Sequence, residues 1–212
     1  MICLSISTKN IKKATELIEK YGFCELRLDL IKPNDSEMKE LFSKKGKIIA
    51  THREDGSNQC MDYLKKAVDL GASYIDIEFE RDSAYKSELI DYAYSKGCKV
   101  ILSYHNFSFT PEFEELKGYI EQEAEEYNPE IVKIACKVVE QRDNITLLSL
   151  LNLPYKLVVL GMGEKGKITR IIAPFLGSQF TFAGTKESLT APGQLDIETM
   201  QEIVKKIKEI CP

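Results

Sequence analysis

The 212-residue chain predicts an α/β fold, a (β/α)8 TIM barrel of minimal size, and three observations carry that expectation. Gly22, Gly46, Gly71 and Gly97 recur at intervals of 24, 25 and 26 residues, each after an amphipathic stretch and before a short apolar run. Eight such runs can be counted along the chain, with helical patterns between them. Strict alternation of this kind argues for parallel strands joined by helical crossovers. Nothing is left over for a linker, so residues 1–212 are expected to form a single barrel domain. An open doubly wound sheet would carry a glycine fingerprint after its first strand. Ser7-Thr8-Lys9-Asn10 stands there instead.

The expected strands are Ile2 to Ile6, Cys24 to Leu30, Lys47 to Thr51, Tyr74 to Phe79, Lys99 to His105, Ile131 to Cys136, Lys156 to Leu160 and Gln179 to Ala183. The first four internal breaks fall at glycines, which enter left-handed backbone without a Cβ penalty and so suit helix ends. Asn128-Pro129, Pro154 and Gly177 punctuate the second half. Among the helices, Ile11 to Tyr21 carries an apolar stripe at Ile11, Ala14, Leu17 and Ile18. Thr110-Pro111-Glu112 reads as a helix start with Thr as N-cap. Leu195 to Ile210 closes the chain as an amphipathic helix.

Composition excludes several function classes. The 29 Lys+Arg against 33 Asp+Glu leave a net charge of −4, which offers no electrostatic case for a nucleic-acid partner. No apolar run reaches the roughly 18 residues of a membrane helix. Met1-Ile2-Cys3-Leu4-Ser5-Ile6 lacks the basic region and cleavage site of a signal peptide, so a cytoplasmic location is expected. The six cysteines form no C-x-x-C pair and read as free thiols of a reducing compartment. With two His and no Cys/His cluster, no metal site is expected.

Parallel barrel strands are covered on both faces and should be nearly all apolar, so charges within them are informative. Active sites of such barrels lie at the C-terminal strand ends. In strand two Glu25, Arg27 and Asp29 share one parity and one face, either as a stabilising ion ladder or as a rim for an oxygen-rich ligand. Arg53 follows strand three, as a solvated loop residue or a binder of anions and hydroxyls; His52, of opposite parity, is expected to face the helices. Asp76 and Glu78 share a face of strand four and are candidate partners for these arginines. His105 ends strand five, either as a structural histidine or in the place where a barrel general base belongs. Lys133 stands alone in the apolar run Ile131-Val132-Lys133-Ile134-Ala135-Cys136. Its bland reading is a cation snorkelling to the mouth. Its functional reading is an amine that attacks a carbonyl to form a Schiff base. Glycine-bearing loops after strands seven and eight suit either a phosphate or, through Arg170 and Gln194, a carboxylate.

Taken together these segments resemble the type I 3-dehydroquinate dehydratases of the shikimate pathway. The resemblance spans essentially the whole chain. It rests on Glu25-Leu26-Arg27-Leu28-Asp29, Arg53, Ser103-Tyr104-His105-Asn106-Phe107, Ile131-Val132-Lys133-Ile134-Ala135, Met162-Gly163-x-x-Gly166-x-x-Thr169-Arg170 and Thr190-Ala191-Pro192-Gly193-Gln194. It implies a lyase that converts 3-dehydroquinate to 3-dehydroshikimate. Lys133 would form the imine with the C3 ketone. His105 would take the C2 proton and then help the C1 hydroxyl leave. Ser5, Glu25, Arg27, Arg53, Arg170, Thr190 and Gln194 would contact the substrate. No metal or cofactor is implied, and a homodimer is the common assembly.

The chain departs from the family pattern in three places. Thr190 stands for a usual Ser, and Thr169-Arg170 for Ser-Arg. The segment Arg53-Glu54-Asp55-Gly56-Ser57 is two residues shorter than the usual Arg-x-x-x-Glu-Gly-Gly. That leaves Glu54, Asp55 or no carboxylate to orient His105. Two other readings of the same residues are a class I aldolase-type Schiff-base barrel and a non-catalytic barrel that only binds an anion.

Overall fold

A computed structural model of the chain describes residues 1–53 and 59–210. Eight parallel strands run β1 (Ile2–Ile6), β2 (Phe23–Arg27), β3 (Lys47–Thr51), β4 (Tyr74–Glu78), β5 (Lys99–Asn106), β6 (Ile131–Lys137), β7 (Leu157–Met162) and β8 (Thr181–Ala183). Their order in the sheet is β7-β6-β5-β4-β3-β2-β1-β8. β7 and β8 approach one another through the Gln179 N–H, which donates to the Leu157 carbonyl at 2.8 Å. The result is a nearly closed barrel, as the alternation predicted.

The helices are α1 (Ile11–Tyr21), α2 (Leu28–Ile31), α3 (Asp35–Phe42), α4 (Cys60–Asp69), α5 (Ser83–Ser95), α6 (Phe113–Tyr127), α7 (Gln141–Ser149), α8 (Lys167–Ile172) and α9 (Ile197–Ile210). Gly22 caps α1 in the left-handed conformation at φ 68°, as its spacing predicted. Gly46 does not cap a helix, because α3 already ends at Phe42. Its lack of a side chain serves packing instead: a Cβ there would lie 2.9 Å from the Gly22 carbonyl oxygen. That carbonyl accepts the Lys47 N–H at 2.8 Å and so starts β3 beside β2.

Other boundaries differ from expectation as well. β2 stops at Arg27 rather than Leu30, and Leu28–Ile31 wind into a helical turn ended by Lys32 in left-handed backbone at φ 52°. α6 begins at Phe113 with Glu112 as N-cap. Thr110 does not cap it; its hydroxyl donates instead to the Lys137 carbonyl at 2.9 Å, tying the loop to the end of β6. β7 and β8 start one and two residues later than their sequence patterns suggest.

Period-2 alternation sorts the strand residues between two environments. Leu4, Leu26, Ala50, Ile75 and Leu102 pack outward against the helices. Cys3, Phe23, Ile49, Ile101, Ile131 and Phe180 fill the barrel interior. One step further along the same inward face the chain changes character to Ser5, Glu25, Thr51, Asp76, Ser103 and Lys133, all buried. The lower interior is therefore dry core and the upper interior is polar, which places the site at the C-terminal mouth.

Candidate active site

A cavity of about 640 Å³ opens at that mouth and is lined by Glu25, Arg27, Arg53, His105, Lys133 and Arg170, with Thr190 and Gln194 at its edge. Eight of the nine residues expected at the site therefore line one cavity. Ser5 is the exception. It is 1% exposed and donates its hydroxyl to Glu25, while the Thr190 hydroxyl donates to it at 2.8 Å. The Thr51 hydroxyl, fully buried on β3, donates to the other Glu25 oxygen at 2.9 Å. Both carboxylate oxygens are thus held from below, which fixes where the Glu25 head group points.

Arg27 forms a bidentate pair with Asp29, Nε to Oδ1 at 3.0 Å and Nη2 to Oδ2 at 2.6 Å. The sequence placed these two on one strand face. In fact Asp29 reaches Arg27 from the helical turn after the strand, where side chains two apart turn toward a common side of the strand end. Arg53 is no solvated loop residue. Its Nη2 lies 2.9 Å from Asp76 Oδ1, its Nη1 lies 3.7 Å from Glu78 Oε1, and Nη1 donates to the Ser103 hydroxyl at 3.2 Å. His52 faces outward as expected and stacks on Tyr63 of α4, ring centroids 5.0 Å apart.

Lys133 is 5% exposed at the cavity floor. Its Nζ donates to Asp76 Oδ2 at 2.9 Å and sits 4.6 Å from the centre of the Phe182 ring. Asp76 was not among the expected site residues, yet it is the hub of the floor. It accepts from Arg53, Lys133 and the Ser103 hydroxyl, the last at 2.6 Å. Burial alone would raise its carboxyl, but Arg53 and Lys133 outweigh burial and hold it well below the usual carboxylate range. A signal for it existed in the sequence: a lysine in an apolar strand needs a buried anion, and Asp76 has the matching parity two strands away.

His105 stacks on Phe107, with centroids 6.1 Å apart and planes 12° from parallel. Its Nδ1 is buried and has no hydrogen-bond partner among the described residues. Burial, then the Arg53 and Lys133 cations, push the imidazole well below its ordinary value. It is therefore neutral near pH 7 and ready to accept a proton. Glu54 and Asp55, the two candidates for orienting it, lie outside the described residues.

Arg170 differs from the other cations. It is 1% exposed, has no carboxylate partner among the described residues, and burial pushes it down to about 10. Its Nη2 donates to the Pro192 carbonyl at 3.3 Å, while its Nε is unpartnered. The same carbonyl accepts the Gly163 N–H at 3.1 Å. The loops after β7 and β8 meet there so closely that a Cβ on Gly193 would lie 2.3 Å from the Gly163 oxygen. Gln194 Oε1 accepts the Thr190 N–H at 2.7 Å and shapes the second loop.

A buried lysine, a neutral histidine and an uncompensated guanidinium around one cavity are the parts of a Schiff-base site for an anionic ketone. The family model of type I 3-dehydroquinase matches residues 2–210. The chain belongs to that family. A 3-dehydroquinate dehydratase of Methanocaldococcus jannaschii is 35% identical over 217 residues, covering 96% of this chain and 97% of the relative. One from Coxiella burnetii is 33% identical over 226 residues, covering 99% and 94%. Among solved structures, the 3-dehydroquinate dehydratase of Aquifex aeolicus superposes with a TM-score of 0.83 at 26% identity, covering 97% of this chain and 98% of that one. Five described cysteines are free and buried, as expected. No helix among the described residues is long and apolar enough to cross a membrane.

Proposed function

We propose that Lys133 and His105 carry the chemistry of the type I family in this chain. Family membership makes the protein a lyase that dehydrates 3-dehydroquinate to 3-dehydroshikimate in the shikimate pathway. The residue roles are our reading. The Lys133 amine adds to the C3 ketone and water leaves, giving an imine. Protonated imine withdraws electrons from C2, so neutral His105 removes the C2 proton. The electron pair passes into the enamine and then expels the C1 hydroxyl, which takes the proton back from His105 and departs as water. Hydrolysis of the imine frees the product and the lysine.

Arg170 receives the substrate carboxylate. The observation that carries this assignment is its burial without a counter-ion among the described residues, since a buried guanidinium gains most from an arriving anion. Glu25, Arg27, Arg53, Thr190 and Gln194 address the hydroxyls and carboxylate, and Ser5 acts through Glu25. No cofactor is needed in this scheme. Sodium borohydride added with 3-dehydroquinate is expected to leave a stable adduct, found by peptide mass spectrometry on Lys133. Turnover without any adduct would refute the scheme.

The proposed setting is the cytoplasm, supported by the free thiols, and the proposed assembly is a homodimer of one-domain barrels with no nucleic-acid partner. Exposed Ile168, Phe175 and Leu176 offer such a pairing an apolar surface. A monomeric mass by light scattering would exclude it.

A further inference from the structure

We propose that Asp76 is the permanent counter-ion of the reaction, balancing a single positive charge that moves between Lys133 Nζ and the His105 imidazole. This inference rests on the Schiff-base reading above and adds to it a residue and a role. The geometry is the warrant. Asp76 Oδ2 lies 2.9 Å from Lys133 Nζ, and its side chain is wholly enclosed. Oδ1 is held by the Ser103 hydroxyl at 2.6 Å and by Arg53 at 2.9 Å. The carboxylate is therefore locked by Arg53 after β3 and by Ser103 on β5 while facing β6, and cannot swing away when the lysine reacts.

Charge conservation along the pathway gives this arrangement its purpose. Imine formation from the ammonium converts R–NH3+ and O=C into R–NH+=C and one water. Atoms and charge balance, and one positive charge stays on Nζ, still beside Oδ2. Removal of the C2 proton moves that charge to His105 and leaves a neutral enamine nitrogen. Loss of the C1 hydroxyl takes the proton from His105, forms the second water and restores the charge to Nζ. A solvent shell would have to reorganise at each transfer. A fixed carboxylate does not, which is the advantage of a preorganised electrostatic site. Around this pair stand Glu25 and Arg27 from β2, Arg53 after β3, Glu78 on β4, His105 on β5 and the Phe182 ring on β8. Arg53 is engaged with both Asp76 and Glu78, so Asp76 is the one carboxylate in contact with Lys133 among the described residues.

The test compares wild type, Asp76→Asn and Asp76→Glu, reading kcat and borohydride trapping across pH. Withdrawing the negative charge lowers the proton affinity of both the iminium and the imidazole. For Asp76→Asn both limbs of the pH profile should move to lower pH, and kcat should fall about 10²–10³-fold. Asp76→Glu keeps the charge and should keep the wild-type limbs even with reduced kcat. A role in folding alone would lower the amount of active enzyme and leave the limbs in place. If Asp76→Asn does not fold, Ser103→Ala replaces it: this variant keeps the carboxylate, removes the hydroxyl dipole that partly satisfies it, and should move both limbs to higher pH. Unmoved limbs in the variant that folds overturn the counter-ion role. Absence of a Lys133 adduct in wild type would instead overturn the Schiff-base reading itself.

Discussion

The two sides of the barrel mouth treat positive charge in opposite ways. Across β3 to β6, Arg53 and Lys133 are neutralised before any ligand arrives, by Asp76 and Glu78 at 2.9–3.7 Å. Beyond β7, Arg170 is buried with a carbonyl and, among the described residues, no carboxylate partner. Burying an ion is costly unless it is paired. The compensated side thus holds a fixed frame where, in the proposed mechanism, charge is shuffled during reaction. The uncompensated side stores an unsatisfied cation whose cost is relieved by an anionic substrate. In the proposed mechanism one side serves the chemistry and the other the capture of substrate.

Substitutions on the chemical side are expected to have the largest effects. Lys133→Met should reduce kcat by on the order of 10⁶, since loss of a covalent nucleophile removes the pathway itself. Stopped assays of enone absorbance, with mass spectrometry for the adduct, measure it; a loss under tenfold would end the comparison. His105→Ala should lower kcat about 10²–10⁴-fold while still allowing borohydride to trap the imine. A variant that turned over normally would remove His105 from the mechanism.

Arg170→Met sharpens the contrast because it should affect binding and stability in opposite directions. Loss of a desolvated partner for the carboxylate costs about 2–5 kcal/mol, so KM should rise by at least about 30-fold, with kcat changed less. The free protein should melt higher, because an unpaired buried cation has been replaced by an apolar side chain. Thermal melts with and without a substrate-like carboxylate test both halves. A variant less stable than wild type would mean that Arg170 is compensated after all.

The smallest expected effect concerns pH. The His105 imidazole is pushed below its unfolded value of about 6.5. Between the folded and unfolded values the unfolded chain binds more protons, so stability rises with pH there. The protein should therefore lose stability as pH falls below about 6.5, and His105→Gln should flatten that slope. Denaturant titrations over this range that show equal slopes for both proteins would remove His105 as the source.

Much of this was legible in the chain before it was folded. The glycine spacing and the alternation of runs are local signals, and they set the barrel and its eight strands. The charges inside apolar strands marked Lys133, His105, Glu25 and Arg27, because period-2 alternation places them on the inward face wherever the strand is covered. Local pattern failed where local structure is decided by its neighbours. Leu28, Asp29 and Leu30 continue the strand pattern, yet they turn into a helix that carries Asp29 back to Arg27. Ser5 looked like a ligand contact and proved to lie beneath Glu25, a matter of depth that no run of residues encodes.

Sequence alone therefore determined the barrel and brought Lys133 and His105, the proposed amine and base, to the lining of its mouth. The tertiary structure decided which charges are cancelled. Asp76 meets Arg53 and Lys133 only because the stagger of the strands brings residues 23 and 57 positions apart in the chain to one level. Arg170 meets the Pro192 carbonyl only because the loops after β7 and β8 close together at Gly163 and Gly193. Pairing between distant residues depends on register and closure, and these are properties of the assembled sheet rather than of any segment within it.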